Sequence, residues 1–333
     1  MNSNSFSKDN YSELKDQITI VVNSCDNYED LWVPFFTLLK KYWNPLDVRV
    51  ILNTETKNFS LDGMEIECIH PADKDAPYGE RMLNVLRNIK TPYVIPLLDD
   101  FFLRKNVDLQ MVQSILGWME KDKNIVYFNC DDTPVYVNWD STTYPGFHRI
   151  PNGNVYTLNM QAAVWRTSKL IKYWKPNVSP WEWEEYTNLI AARNKKEKFY
   201  CVSNYGNGFC DYGYKLSGMG VHKGKWVEDD VVPFFKKEGI NVDFSKRGFL
   251  EKSHQNNDAY NLRDSLKTIY TNSELVNNCL EFRDIISYYI FAKRNNVMRV
   301  LRNGPDLLFI RYFLLKEKKK FLRKHRDLLN EIK

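Results

Sequence analysis

The chain is expected to fold as an α/β layer, a largely parallel sheet flanked by helices. Two observations lead there. Short apolar runs rich in β-branched and aromatic residues alternate with stretches of helical spacing, the pattern of strand–helix–strand units. One of those runs, TPYVIPLLDDFFL (residues 91–103), passes straight into Asp99 and Asp100. Ligands of parallel sheets bind outside the carboxyl ends of the strands, so two mutually repelling carboxylates at such an end call for an explanation. Two readings stand. The pair marks a turn with a helix cap, since Asp commonly starts turns, or it holds a metal ion and a nucleotide.

Taken in order, ITIVVN (18–23) is a buried strand and YEDLWVPFFTLLKKYW (28–43) a helix. VRVILNTET (48–56) is a second strand, and MEIECIH (64–70) alternates like a third. YGERMLNVLRNI (78–89) has helical spacing at Met82, Leu83, Leu86 and Ile89. The strand ending at Asp99 follows, then a helix near 107–121 and the strand NIVYFNC (124–130). Residues 131–154 read as loop, and 155–174 as a strand leading into a helix. SPWEWEEYTNLIAARN (179–194) is a helix with a clear start: Ser179 as N-cap, Pro180 at the first helical position, and Glu182 completing a capping box. A segment rich in glycine and tyrosine (201–226) leads to an acidic stretch at 228–230, and signals from about 258 onward are mainly helical. The expected organisation is a loose lead-in (1–17), one α/β domain (18–250) and a helical C-terminal region (251–333).

Composition narrows the class. Hydrophobic residues make up 43% and aromatics 14%, with 9 Trp and 20 Tyr, which supplies a core and excludes global disorder. No apolar run reaches the ~18 residues of a membrane span. The opening MNSNSFSKDNYSELKDQ is polar and lacks the apolar segment of a secretory signal. The cysteines (25, 68, 130, 201, 210 and 279) form no CxxC pair, so free thiols in a reducing cytoplasm are expected and no zinc site is.

The charge is unevenly placed. Residues 316–333, KEKKKFLRKHRDLLNEIK, carry eight Lys/Arg and three Asp/Glu, which equals the net +5 of the whole chain. The other residues hold 39 charges of each sign and are neutral. Such a tail suits an anionic surface, a membrane or nucleic acid. A terminal helix packed on its own domain, or on a second subunit of a homo-oligomer, is the plainer reading.

Five segments between residues 18 and 230 together resemble the nucleotide-sugar-dependent glycosyltransferases of the GT-A (Rossmann-like) fold. The likeness is strongest to bacterial enzymes that build capsule and surface polysaccharides. The segments are ITIVVNSCDNYEDL, YGERMLNVLRNIKTPYVIPLLDDFFL, LNMQAAVWR, SPWEWEE and GVHKGKW. Each is weak alone, and their order and spacing carry the resemblance together. It implies that Asp99-Asp100-Phe101 stands in for the DxD motif, with Asp99 toward the ribose and Asp100 on a divalent cation. A leaving nucleoside diphosphate develops negative charge that Mn²⁺ or Mg²⁺ neutralises through hard oxygen ligands. Phe101 in the third position leaves one carboxylate for the ion. Asn23, Ser24 and Asp26 are placed by the resemblance at the nucleotide base, against an ordinary strand-to-helix turn. Arg81 is placed toward the diphosphate, against a surface helix arginine.

In SPWEWEE the resemblance implies a general base that takes the acceptor hydroxyl proton in an inverting transfer. Glu184 is the first candidate; Glu182, already used in the capping box, and Glu185 compete with it. Trp181 and Trp183 suit stacking on a sugar face or core packing. In GVHKGKW, His222 is a candidate ligand for the metal or diphosphate, and Lys223 and Lys225 are candidate cations for the leaving group. The partners implied are a nucleotide-diphosphate sugar, UDP-sugar favoured, and a glycan or lipid-linked acceptor. A membrane contact through 316–333 fits a lipid-linked acceptor; nucleic acid is not an expected partner. Two other classes remain. A nucleotidyltransferase would show a glycine- and cation-rich loop after the first strand, which NSCDNYED lacks. A non-catalytic sugar-binding protein on a decayed fold would explain the irregular DxD. Serine hydrolase chemistry lacks a GxSxG motif.

Overall fold

The computed structural model describes residues 14–130, 144–150, 152, 157–203, 208–212 and 219–251. The tail and the rest of the expected C-terminal region beyond Glu251 lie outside the described residues, as does most of the lead-in. The first described element is a helical turn, α1 (Leu14–Gln17), which buries Leu14 and so carries the fold four residues ahead of the expected boundary at 18.

Strands β1 (Ile18–Asn23), β2 (Arg49–Asn53), β3 (Glu67–Ile69) and β4 (Tyr93–Leu98) pair in parallel. Between them lie helices α2 (Glu29–Tyr42), preceded by a short 3₁₀ turn, and α3 (Tyr78–Asn88). Helix α4 (Leu109–Lys121) then leads to β5 (Ile125–Asn129), β6 (Phe147–Ile150) and β7 (Ala163–Arg166). Helices α5 (Thr167–Tyr173) and α6 (Pro180–Arg193) precede β8 (Lys198–Val202). Among the described residues these make one eight-stranded sheet of order β3-β2-β1-β4-β7-β5-β8-β6. Strand β7 runs antiparallel between β4 and β5, and β6 antiparallel on β8; the other pairs are parallel. The result is a mixed α/β fold with a mostly parallel sheet, consistent with the Rossmann-like GT-A arrangement expected above.

The apolar runs follow from burial on both faces. Ile18, Ile20 and Val22 of β1 face a core built with α2 and α4, whereas Val21 faces a second core with α3, α5 and α6. Trp32, Phe35, Phe36 and Leu39 supply the first from α2; Met82, Val85 and Leu86 supply the second from α3. Every residue of β1 is buried, so the strand has no polar face to alternate with.

Three elements depart from the sequence reading. β6 lies within the stretch read as loop: its FHRI pattern buries only Phe147 and Ile150, which gives no period-two alternation to detect. It is an edge strand, and an edge needs only partial burial. β8 leads into the glycine-rich segment, in a stretch to which the sequence assigns no element. The acidic stretch at 228–230 is the first turn of a helix, α7 (Glu228–Glu238), where negative charge favours the helix N-terminus.

In-register pairing decides where the site lies. Asn23 of β1 stands level with Asn53 of β2 and with Leu98 of β4. The three strands therefore end on one line, and Asp99 and Asp100 step off it at the carboxyl edge of the sheet.

Candidate active site

A cleft of about 770 Å³ opens on that edge. Its walls come from the ends of β1 (Asn23, Ser24, Cys25, Tyr28) and β4 (Leu98 to Phe101), and from α3 (Tyr78, Arg81). The segment before β7 (Met160, Gln161), the start of α6 (Pro180, Trp181, Glu184) and residues 219–224 complete it. Of the residues singled out from sequence, Asn23, Ser24, Arg81, Asp99, Asp100, Trp181, Glu184, His222 and Lys223 all line this one space.

At its floor Asp99 is buried, 4% exposed, and accepts a hydrogen bond from the Ser24 hydroxyl. Ser24 Oγ in turn accepts from Trp32 Nε1 at 2.7 Å, so a core tryptophan sets the orientation of the serine. Asn23 is fixed by its side-chain amide to Leu97 O (3.4 Å) and by accepting from Asn53 Nδ2 (3.1 Å). Asp100 is partly exposed to the cleft. Burial pushes its carboxyl up to about 7, and burial followed by the Asp100 charge raises Asp99 well above the usual carboxylate range. Two carboxylates in one poorly solvated place cannot both ionise without cost. The Arg247 guanidinium works against the rise at both aspartates.

Arg81 is no surface arginine. It is 6% exposed, donates to Ser24 O at 3.0 Å and pairs with Glu55 at 3.1 Å. Glu55 also accepts the backbone N–H of Asp26 at 2.5 Å. The cation thereby ties the β1 and β2 loops together while one edge of it lines the cleft. The Tyr78 hydroxyl, in the same wall, is buried and has no hydrogen-bond partner among the described residues.

Residues 219–227 reach the site through a close backbone contact. Gly220 N donates to Asp100 O at 2.7 Å. A Cβ at Gly220 would lie 2.2 Å from Cε2 of Phe102, which is itself fully buried, so only glycine allows the approach. From there the chain forms a hairpin, β9 (Val221–His222) and β10 (Lys225–Trp226), with Lys223 and Gly224 at its tip. Both tip residues have positive φ, 50° and 76°, as a type I′ turn requires. Glycine adopts this freely; a lysine there costs about 1–2 kcal/mol. The hairpin thus presents Lys223 and His222 to the cleft at some conformational expense.

Opposite, α6 begins with the expected capping box: Glu182 N donates to Ser179 Oγ (3.3 Å) and Ser179 N to Glu182 Oε2 (2.9 Å). Glu184 Oε1 accepts from Met160 N at 2.7 Å, which holds the carboxylate on the cleft wall. Gly79 seats α3 against the chain entering α6: a Cβ there would meet Lys175 O at 2.0 Å.

Other candidates fall outside the cleft lining. Asp26 accepts from Thr56 N, Thr56 Oγ1 and Lys57 N, and so closes the loop after β2. Glu182 is committed to the cap. Lys225 Nζ donates to Arg247 O at 2.6 Å. Trp183 is 1% exposed and stacked on Trp174 at 4.9 Å, a core residue. The side chain of Glu185 lies outside the described residues.

Sequence reasoning missed Tyr28, Tyr78, Glu55 and Arg247. Arg247 chelates Asp30 (2.6 and 2.7 Å) and lies 4.1 Å over the Tyr28 ring on the cleft wall. No local signal marks such a contact across more than two hundred residues.

Among the described residues no three His, Cys, Asp or Glu side chains form a protein-only metal cage. Asp99 is engaged by Ser24, and Asp100 and His222 both line the cleft. That donor set fits a Mn²⁺ or Mg²⁺ ion that takes its other ligands from phosphate oxygens and water. No helix among the described residues is long and apolar enough to cross a membrane.

No protein-family model matches the chain, and no curated protein does. Solved structures similar to it include S. aureus TarS 1–349, at 11% identity and a TM-score of 0.41, covering 84% of this chain and 79% of that one. A cytidylyltransferase from Leptospira borgpetersenii is 11% identical with a TM-score of 0.41, covering 80% and 99%. The mannosyltransferase PcManGT from Pyrobaculum calidifontis, in complex with GDP-Man and Mn²⁺, is 9% identical with a TM-score of 0.38, covering 59% and 56%.

Proposed function

We propose that the chain is a nucleotide-sugar-dependent glycosyltransferase that passes a sugar, with inversion, to a glycan or lipid-linked acceptor in surface polysaccharide synthesis. One observation carries the reading. The paired aspartates, a hairpin bearing His222 and Lys223, and an α6 carboxylate, from three distant parts of the chain, share one cleft at the carboxyl edge of the sheet.

In this reading the nucleoside of a UDP-sugar lies over Asn23 and Ser24, beside Tyr28, with its ribose toward Asp99. The diphosphate lies between Asp100 and the hairpin. Asp100 and His222 would hold a divalent cation, which would supply positive charge against the diphosphate. Lys223 adds a second positive charge, and Arg81 keeps the β1 loop in place beneath it. Glu184 takes the proton from the acceptor hydroxyl as that oxygen attacks the anomeric carbon. The bond to the diphosphate oxygen breaks on the opposite face, and the nucleoside diphosphate leaves. General-base assistance of this kind is worth about 10²–10⁴-fold.

The tail at 316–333 belongs to the proposal as a membrane tether: its cations attract an anionic surface at roughly 1 kcal/mol each, where lipid-linked acceptors are found.

The test is turnover by the Glu184→Gln variant. Release of UDP from a panel of UDP-sugars is expected to fall by about two orders of magnitude or more while UDP affinity holds. A variant with unchanged turnover would remove Glu184 as base, and absence of UDP release from every donor by the wild type would remove the transferase reading.

A further inference from the structure

Trp181 is the most exposed large apolar side chain among the described residues, at 77%, yet it belongs to the lining of the cleft. Its neighbour two positions on, Trp183, is 1% exposed and stacked on Trp174. The helix separates them: at 100° per residue, positions 181 and 183 point to opposite sides of α6. Positions 181 and 184 differ by 300°, so Trp181 and Glu184 share a face about 5–6 Å apart. Pro180 and the capping box fix that turn, and the hydrogen bond from Met160 N fixes Glu184. The indole is thus a flat apolar plate on a rigid helix start, one helical step from the carboxylate.

The chemistry around it selects a ligand. The lining residues on this side are Met160, Gln161, Pro180, Trp181 and Glu184, none of them cationic among those described. The cations of the cleft, Arg81 and Lys223, come from other walls. Among the described residues on this wall a phosphate would find no positive partner, and a plain hydrocarbon chain would be held against Glu184 and Gln161. A pyranose ring meets both demands, with C–H groups on one face for the indole and hydroxyls at its rim for the carboxylate and amide.

We infer that Trp181 is the platform for the acceptor, and that the acceptor is a glycan whose terminal pyranose stacks on the indole with a hydroxyl over Glu184. The role of Glu184 in this rests on the transferase reading; the stacking itself does not. Trp181 contributes affinity and orientation for the acceptor. It is a specificity residue for sugars with an apolar face.

Saturation-transfer NMR on the full chain tests it, with methyl β-glucopyranoside, methyl β-galactopyranoside, methyl N-acetyl-β-glucosaminide and methyl α-rhamnopyranoside as probes and UDP present. At least one probe is expected to receive saturation, strongest on the ring protons of one face. Trp181→Ala should reduce that signal roughly two- to tenfold, the worth of one aromatic contact, and Trp181→Phe should restore most of it. Trp181→Leu, apolar but not flat, should behave like alanine. The UDP signal and thermal unfolding check that each variant is folded. Glycan signals equal in wild type and Trp181→Ala, or absent from the wild type for all four probes, would overturn the platform. Glycan signals lost in Trp181→Ala in a protein that never binds UDP would support the platform and overturn the transferase reading, so the two fail separately.

Discussion

Asp100→Asn removes a charge that the fold holds at a cost, and the variant is therefore expected to be more stable than the wild type in the absence of ligand. Burial raises the Asp100 carboxyl from 3.8 to about 7. The folded protein thus binds a proton more readily than the unfolded chain, and stability falls as pH rises from about 4 through about 7. Fully expressed, a rise of that size corresponds to about 4 kcal/mol. Asp100 is partly exposed, and solvent at its cleft-facing edge reduces the expected gain to about 1–2 kcal/mol above pH 7. In a domain of this size each kcal/mol moves Tm by about 2–4 °C, so the variant should melt roughly 2–8 °C higher near pH 8. Below about pH 4 both proteins are neutral at this position and the difference should vanish. Thermal unfolding of the two proteins between pH 4 and 8 measures it. A variant less stable at pH 8, or one equally stabilised at both ends, would refute the claim that the aspartate pair is held for a ligand at the expense of the fold.

Other outcomes follow from the same contacts. Gly79→Ala drives a Cβ to 2.0 Å from Lys175 O and should destabilise by about 1–3 kcal/mol or more in urea unfolding. Gly117→Ala, exposed in mid-α4 with nothing within 4 Å of its Cβ, should stabilise by about 0.5–1 kcal/mol in the same assay. Glu182→Gln should keep turnover and cost about 1 kcal/mol or less through the cap, against the collapse expected for Glu184→Gln; the reverse ranking would exchange their roles. A chain ending at Leu315 should no longer pellet with anionic vesicles, and the full chain should pellet less as salt rises; equal partitioning of the two would remove the membrane tether.

What the sequence made legible divides along physical lines. β1, β2 and β4 are buried on both faces, so each is a continuous apolar run that stands out from its surroundings. The start of α6 was readable to the residue because a capping box is a local hydrogen-bond pattern within four positions. β6 was not, since an edge strand with two buried residues in four has no period to read. In the site, Asp99 and Asp100 were accessible as charged residues ending an apolar run, whereas Glu184 came only from the family resemblance. The choice between Trp181 and Trp183 was not: it depends on which side of α6 meets Trp174. The roles of Arg81, Glu55 and Arg247 are likewise set by partners far along the chain. Asp26 and Lys225 flank the motifs in sequence, and their side chains hydrogen-bond to neighbouring loops, Asp26 to Thr56 and Lys225 to Arg247 O.

Ligand-induced stabilisation reads out whether Asp100 helps hold a nucleoside diphosphate at the carboxyl edge of the sheet. UDP, GDP, CDP and ADP would each be titrated with and without Mn²⁺ against wild type and Asp100→Asn, reading the change in Tm on adding ligand to each protein. A ligand at one hundred times its Kd stabilises the folded state by about 2.7 kcal/mol, or roughly 5–11 °C at this size. At least one diphosphate should raise the wild-type Tm by several degrees, more with Mn²⁺ than without, and the Mn²⁺ increment should disappear in Asp100→Asn. A wild type that no nucleoside diphosphate stabilises, or an increment that survives the substitution unchanged, would contradict that role of Asp100.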